Sequence, residues 1–345
     1  MTTYAPTKPW KPTRADLSKN VIGIIIAAIT SYLVVASTPM KGKLAYAFLF
    51  FFFATAIQVV IKWLALGRVA AVDELASSIA LTGGIIVFLP VLSILFTTIS
   101  KGIKGLHWTL FTDTMEKSSY LDPIGMGGIL HAIVGTMYMI IIASIISVPL
   151  SILTALYLTE IKGKAAGFIQ FLVQAMSGVP SVVAGIFIYA ALLLNTSFRG
   201  SGLTGALPLA ILMIPTVTRT AQEVLLLIPN DLREAGQALG ATQWKTVMLI
   251  VVPAARSGLV TAVILGVARI AGETAPLLFT IGGSDKVNWN PINGPQSALP
   301  YYIWKGLLSG TPEAVQRSWT AILVLLMIVL FFFSIARYFS RQRVK

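Results

Sequence analysis

The stretch 229–253, PNDLREAGQALGATQWKTVMLIVVP, separates two long apolar runs and decides how the sequence is interpreted. Pro229 ends the first run, and Asp231 with Glu234 three residues later is expected to cap a new short helix. Small residues follow at Ala235, Gly236, Ala238, Gly240 and Ala241. They would let another surface approach closely, and Pro253 then precedes the next run. The pattern predicts a helical loop that docks a partner protein, with a plain turn between two helices as the alternative.

The composition on both sides of this loop excludes an ordinary water-soluble domain. Of the 345 residues, 56% are hydrophobic and 11% are charged, and the mean hydropathy is +0.82. Soluble domains carry about 25% charged residues. The chain has no cysteine and two histidines, which excludes disulfides and thiolate metal sites, and neither histidine belongs to a catalytic or metal-ligand pattern. The sequence therefore predicts an integral membrane protein without a metal or catalytic centre.

The apolar runs predict how often the chain crosses the membrane, since about 20 apolar residues span a hydrocarbon core. Runs of this kind lie at 21–38, 44–61, 78–100, 129–158, 165–195, 203–228, 254–281 and 320–339. They predict an all-α, polytopic transmembrane helix bundle of about eight spans.

The excess of basic residues predicts the orientation of this bundle. The chain has 26 Lys and Arg against 13 Asp and Glu, a net charge of +13. With a cytoplasmic N-terminus, the inside segments carry more of the basic residues than the outside loops, as the positive-inside rule requires. We therefore expect a multi-pass cell membrane protein in contact with lipid, with both termini cytoplasmic and no nucleic-acid partner. A cleaved signal peptide at the first span is the alternative for that segment.

Charged residues inside the predicted spans are the candidate functional residues. Arg219 precedes Glu223 by four positions, and Arg269 precedes Glu273 by four. An arginine at a helix centre costs about 2.5–3.5 kcal/mol on insertion scales, so each needs compensation. One interpretation is that each pair joins on one helical face and locks the packing. The other is that the arginines line a path for an anion, whose oxygens fit the planar guanidinium group.

The loop also resembles the signature of binding-protein-dependent ABC importer permeases, E-A-A-x-x-x-G, nine residues, I-x-L-P. The matching residues are Glu234-Ala235-Gly236, then Gly240, and after nine residues Ile250-Val251-Val252-Pro253. Gly236 replaces an alanine of the signature and Val252 a leucine. In that family the loop is the coupling helix, which sits in a cleft of the cytoplasmic ATPase. The resemblance implies an ATPase-coupling role for Asp231, Glu234, Ala235, Gly236 and Gly240.

Three longer segments are similar to the PstA-type permeases of phosphate importers. They are SGVPSVVAGIFIY (177–189), LPLAILMIPTVTRTAQEVLLLIPNDLREA (207–235) and ARIAGETAPLLFTIGG (268–283). The similarity covers roughly residues 75–340 and implies a type I ABC importer permease domain of six core spans at 75–345. A polar tail at 1–20 and an extra transmembrane hairpin at 21–70 would precede it. Gln222 stands where the family has an acidic residue.

The resemblance also implies a function and partners. Arg219, Gln222, Glu223, Arg269 and Glu273 would line the substrate pathway of an ATP-driven importer of inorganic phosphate. The partners would be a PstC-type permease, two PstB-type ATPases and a PstS-type binding protein. The chain lacks a G-x-x-x-x-G-K-[ST] run, so ATP and Mg are expected on the ATPase, and this chain would be a transport subunit without a cofactor.

Two alternatives belong to other functional classes. In a stand-alone secondary carrier, Glu223 or Glu273 would be a proton relay. In a membrane assembly or signalling scaffold, the loop 229–253 would be a docking site only.

Overall fold

The computed structural model describes residues 14–39 and 42–340. Residues 1–13 of the predicted N-terminal tail, positions 40–41 and the basic C-terminal residues 341–345 lie outside the described part. Within it, no β-strand forms, and Gly282 and Gln296 make an isolated β-bridge. The predicted all-α bundle is therefore confirmed.

The helices follow one another along the chain in a simple order. They are α1 (Arg14–Ser37), α2 (Lys43–Leu66), α3 (Arg68–Gly102), α4 (Thr109–Thr112), α5 (Leu130–Leu156), α6 (Ala166–Ser177), α7 (Ser181–Ile188), α8 (Gly202–Leu226), α9 (Asn230–Ala238), α10 (Gln243–Thr246), α11 (Val252–Ala271), α12 (Leu277–Thr280), α13 (Leu299–Ser309) and α14 (Pro312–Ser340). Segments of π-helix extend α5 over Tyr157–Ile161 and α7 over Tyr189–Leu193, and Val247–Val251 joins α10 to α11.

Seven stretches of the described residues are long and apolar enough to cross a membrane. They are Asn20–Ser37, Lys43–Leu66, Arg68–Gly105, Leu130–Ile161, Gly202–Leu226, Gln243–Ala271 and Pro312–Tyr338. The span predicted at 165–195 is not one helix, because α6 and the extended α7 are bent by 101°. Pro180 causes the break, since it lies in extended backbone (φ −60°, ψ 140°) and lacks the N–H that would continue a helix. Eight crossings result only if this bent pair crosses once.

The span predicted at 254–281 is displaced towards the N-terminus. Its apolar helix begins at Gln243 and ends at Ala271. Gly272 ends α11, and the chain turns as the Glu273 amide donates to the Ile270 carbonyl at 3.2 Å. Glu273 therefore lies beyond the helix, and the predicted pairing of Arg269 with Glu273 on one helical face is wrong.

The chain forms two compact units that divide between Leu95 and Phe96. In the first unit, α1 and α2 pack against each other, and a Cβ at Gly23 would lie 3.2 Å from the Ile57 side chain. The Gln58 side-chain amide donates to the Asn20 carbonyl at 3.0 Å. The proposed division into a hairpin at 21–70 and a permease domain at 75–345 stays a prediction.

Helix α8 is the central helix of the second unit. It packs against α5, α6, α7 and α11. Its buried residues Met213, Val217, Ala221 and Leu225 belong to the main apolar core of this unit. Small residues permit the close approach of α11, since a Cβ at Gly266 would lie 2.5 Å from the Val217 side chain. This packing buries most of α8, whose exposed residues are Glu223 and Leu226.

Arg317 is a buried arginine of the last membrane helix. The sequence places Arg317 in an outside loop, but it lies on α14 and is 1% exposed. Its Nη2 donates to the carbonyls of Asp122 and Pro123 at 3.0 and 2.7 Å. The neighbouring segment ALPYYIWKGLLSG (298–310) contains α13, which packs against α14. The predicted loop position of Arg317 is therefore wrong.

Candidate functional site

Helix α8 carries a polar stripe of three half-buried residues and one exposed residue, which are Thr216, Arg219, Thr220 and Glu223. Their spacing of three and four residues places them on one helical face. Arg219 is half-buried and Glu223 is exposed, while Gln222 lies beside them and is half-buried. The sequence buries the apolar positions of α8 and therefore turns this stripe away from the core.

Arg269 reaches the same stripe from the next span. It lies in the last turn of α11, and its Nη1 donates to Oγ1 of Thr216 at 2.9 Å. Thr216 precedes Arg219 by three residues on α8. Two arginines that are far apart in sequence are therefore carried by adjacent helices on one polar side of the unit.

The acidic neighbours of these arginines do not neutralise them. The ion pairs within residues 14–39 and 42–340 are Arg233–Glu160, Lys286–Glu116 and Lys305–Asp285. The interpretation of Arg219 with Glu223, and of Arg269 with Glu273, as locked pairs is therefore wrong in this conformation. Glu273 is half-buried in the turn after α11. Among the described residues, neither Arg219 nor Arg269 has a carboxylate within ion-pair distance.

Two segments that carry the family resemblance meet beside this stripe. Gly185 of α7 touches the turn after α11, where a Cβ would lie 2.5 Å from the Cα of Pro276. Only glycine allows this backbone-to-backbone approach. The segments 177–189 and 268–283 therefore form one structural feature, which fixes the chain next to Arg269.

The short helix α9 begins differently from the sequence prediction. Pro229 occupies its N-cap position in extended backbone (φ −58°, ψ 143°), and no side chain caps the helix. The predicted capping by Asp231 and Glu234 is therefore wrong. Asp231 lies in the first turn, where a negative charge favours the helix dipole. Asp231, Glu234 and Ala235 are all exposed, so α9 presents an acidic outer face.

Gly236 of α9 and Gly240 of its C-terminal turn have different structural roles. Gly236 is buried, and a Cβ there would lie 2.8 Å from Cδ1 of Ile250 and 3.0 Å from Cγ2 of Thr246. Gly240 has φ 77°, a left-handed conformation that ends the helix and that residues with side chains rarely adopt. Gly236 therefore seats α9 on the start of the next span, and Gly240 turns the chain towards it.

The sequence analysis missed an ion pair on the same face of α9 as Gly236. Arg233 donates from Nε and Nη2 to the two carboxylate oxygens of Glu160 at 2.9 and 2.7 Å. This bond raises the pKa of Arg233 above its ordinary value. Glu160 lies 73 positions earlier, in the π-helical end of α5. Its sequence signal is weak but present, since Glu160 is the sole acidic residue between Asp122 and Glu223.

The contact of Gly236 gives a testable prediction. Gly236→Ala should lower the melting temperature of the purified protein, because the new methyl group meets Cδ1 of Ile250. Ile250→Val removes that atom. The melting temperature of the double variant should therefore fall by less than the sum of the two single effects. Additive losses would show that the two positions do not touch.

Known proteins are similar to this chain over most of its length. The sequence profile of the family described as "Binding-protein-dependent transport system inner membrane component" matches residues 147–345. "Phosphate transport system permease protein PstA" of Haemophilus influenzae is 39% identical over 240 residues, 69% of this chain and 82% of that protein. PstA 1 of Mycobacterium tuberculosis (strain CDC 1551 / Oshkosh) is 34% identical over 262 residues, 74% of this chain and 84% of that protein.

Solved structures resemble the chain more distantly. A chain described under "Inward facing conformations of the MetNI methionine ABC transporter" shares 20% identity over 62% of this chain and 93% of that chain, with a TM-score of 0.49. This likeness is too low to add to the sequence match. Sequence identity, coverage and the profile match together show that the chain belongs to the PstA family of phosphate transport system permease proteins.

Proposed function

We propose that this chain is a transmembrane permease subunit of an ATP-driven, binding-protein-dependent importer of inorganic phosphate. The observation that carries the proposal is the placement of Arg219 and Arg269 on one polar stripe, without a salt-bridge partner among the described residues. Phosphate carries one to two negative charges, and the planar guanidinium group matches its oxygens. The relatives named as phosphate transport permeases support the choice of substrate.

The remaining residues of the stripe favour weak, reversible binding of the substrate over tight binding. A conducting site must hold its substrate weakly enough to release it. Glu223 follows Arg219 by one helical turn, and Gln222 adds hydrogen-bonding groups without a charge. Glu273 lies in the turn after Arg269. These acidic groups limit the attraction that the two arginines exert on an anion.

The exposure of Arg269 calls for a second membrane subunit. Arg269 is exposed in the last turn of a helix apolar enough to span a membrane, where contact of its charge with lipid is unfavourable. A PstC-type permease that covers the stripe removes this contact. The substrate path then runs between the two permeases.

The energy for transport comes from other subunits. Two PstB-type ATPases bind ATP and Mg, so this chain itself has no cofactor and no enzymatic role. The exposed acidic face of α9 docks in the ATPase, both termini lie in the cytoplasm, and a PstS-type protein delivers phosphate from outside. Closure of the ATPases displaces α9. The spans then change the side of the membrane to which the substrate path is open.

Reconstitution in proteoliposomes tests this function. Uptake of radiolabelled phosphate should require this chain, the second permease, the ATPase, the binding protein and ATP together. Omission of any one of them should reduce uptake to the background of empty vesicles. Uptake by this chain alone would instead identify a secondary carrier, and absence of uptake by the complete set would identify a scaffold.

A further inference from the structure

We propose that Arg233 and Glu160 are positioning residues that make the coupling helix α9 move as one body with the cytoplasmic ends of α5 and α8. The inference rests on the proposed function and adds a transmission element to it. It is drawn from a junction where a single arginine side chain contacts three segments of the chain.

Nearly all of the N–H groups of the Arg233 guanidinium group donate hydrogen bonds. Besides its two bonds to Glu160, Nη1 donates to the Ile228 carbonyl at 2.7 Å, and Nη2 donates to the Leu225 carbonyl at 3.0 Å. Carbonyls at a helix C-terminus have no partner within their own helix. Arg233 therefore closes the end of α8 and binds the end of α5 at the same time.

Glu160 also contacts the following span. Its backbone carbonyl accepts a hydrogen bond from Nε2 of Gln243 at 2.6 Å, at the start of α10. Its side chain is 5% exposed and that of Arg233 is 19% exposed. Water competes little with a bidentate pair at this depth, and a buried carboxylate without its arginine would be strongly destabilised.

Gly236 follows Arg233 by three residues and lies on the same inner face of α9. It packs against Thr246 and Ile250, and Ile250 belongs to the π-helical segment Val247–Val251. Glu160 also lies in a π-helical segment, and such segments are frequent at functional sites. The inner face of α9 is thus held both by a charged pair and by close packing, while its acidic outer face stays exposed.

This arrangement gives the pair a role separate from docking. The ATPase contacts the exposed face of α9, so α9 can still dock when the pair is broken. Without the pair, displacement of α9 no longer moves α8, which carries the polar stripe. The variant complex then hydrolyses ATP without moving the path that phosphate takes.

The first measurement is the amount of phosphate transported per ATP hydrolysed in proteoliposomes that contain the complete complex. Arg233→Gln and Glu160→Gln should each lower this ratio at least tenfold, while the ATPase still co-purifies and still hydrolyses ATP. Lys164→Gln removes an exposed charge four positions from Glu160 and should leave the ratio unchanged. An unchanged ratio in both variants, or loss of assembly in both, would overturn the proposal.

The second measurement does not depend on phosphate. The chain has no cysteine, so spin labels at Leu239→Cys and Leu153→Cys are unique, and both positions are exposed at 89% and 57%. With the intact pair, the distance between the labels should be the same with and without ATP. In Arg233→Gln it should change or broaden when ATP binds. If the distance between the labels depended on ATP while the pair is intact, rigid coupling would be contradicted. Absence of phosphate uptake by the unaltered complex would instead contradict the proposed function alone.

Discussion

Replacement of Arg269 by glutamine is expected to reduce ATP-driven phosphate uptake by about 10- to 100-fold, since lost hydrogen bonds to a charged group cost about 1.5–3 kcal/mol. Gln keeps a polar side chain near Thr216 but removes the positive charge and the planar fork of the Arg269 guanidinium. Uptake of radiolabelled phosphate, normalised to the amount of inserted complex, measures the effect.

The matched control for this variant lies on the same helix. Arg256 is an exposed arginine of α11 that precedes Arg269 by 13 positions. Arg256→Gln should retain uptake within about twofold, because surface charges contribute little. Wild-type uptake by a correctly inserted Arg269→Gln variant would remove Arg269 from the substrate path.

Reversal of charge at Glu234 should separate the permease from its ATPase. Glu234 and Asp231 lie on the exposed face of α9, and this acidic face is expected to meet basic residues of the ATPase cleft. Loss of one partner of a buried charged pair at an interface costs about 2–5 kcal/mol. Glu234→Arg should therefore reduce the ATPase that co-purifies with the permeases at least tenfold, and uptake should fall with it.

A second acidic residue serves as the control for this reversal. Asp73 is exposed on α3, outside the coupling helix. Asp73→Arg introduces the same change in charge and should leave co-purification of the ATPase unchanged. Normal binding of the ATPase to Glu234→Arg would show that this face of α9 is not the docking surface.

The helical nature and the approximate positions of most spans could be predicted because hydrophobic length is a local property. The seven continuous apolar stretches fall close to predicted runs. The bend between α6 and α7 could not be predicted, since an apolar run with Gly178 and Pro180 is equally compatible with a kinked helix. The end of α11 at Ala271 was missed for a similar reason, because the apolar composition continues past Gly272.

The candidate site was predictable only where its residues are close in sequence. A charged residue within an apolar run marks Arg219 and Arg269, and a family motif marks α9. Their contact through Thr216 depends on the packing of α8 against α11, which spacing does not reveal. The pair of Arg233 with Glu160 joins residues that are 73 positions apart and is a property of the fold alone.

The central claim is that phosphate transport is coupled to ATP hydrolysis through this chain. The most direct measurement is the ATP hydrolysis rate of the complete complex in nanodiscs, with and without phosphate-loaded binding protein. Hydrolysis should rise several-fold with the loaded binding protein, and the rise should disappear in Glu234→Arg. The same rise in Glu234→Arg, or no response to the loaded binding protein, would contradict the claim.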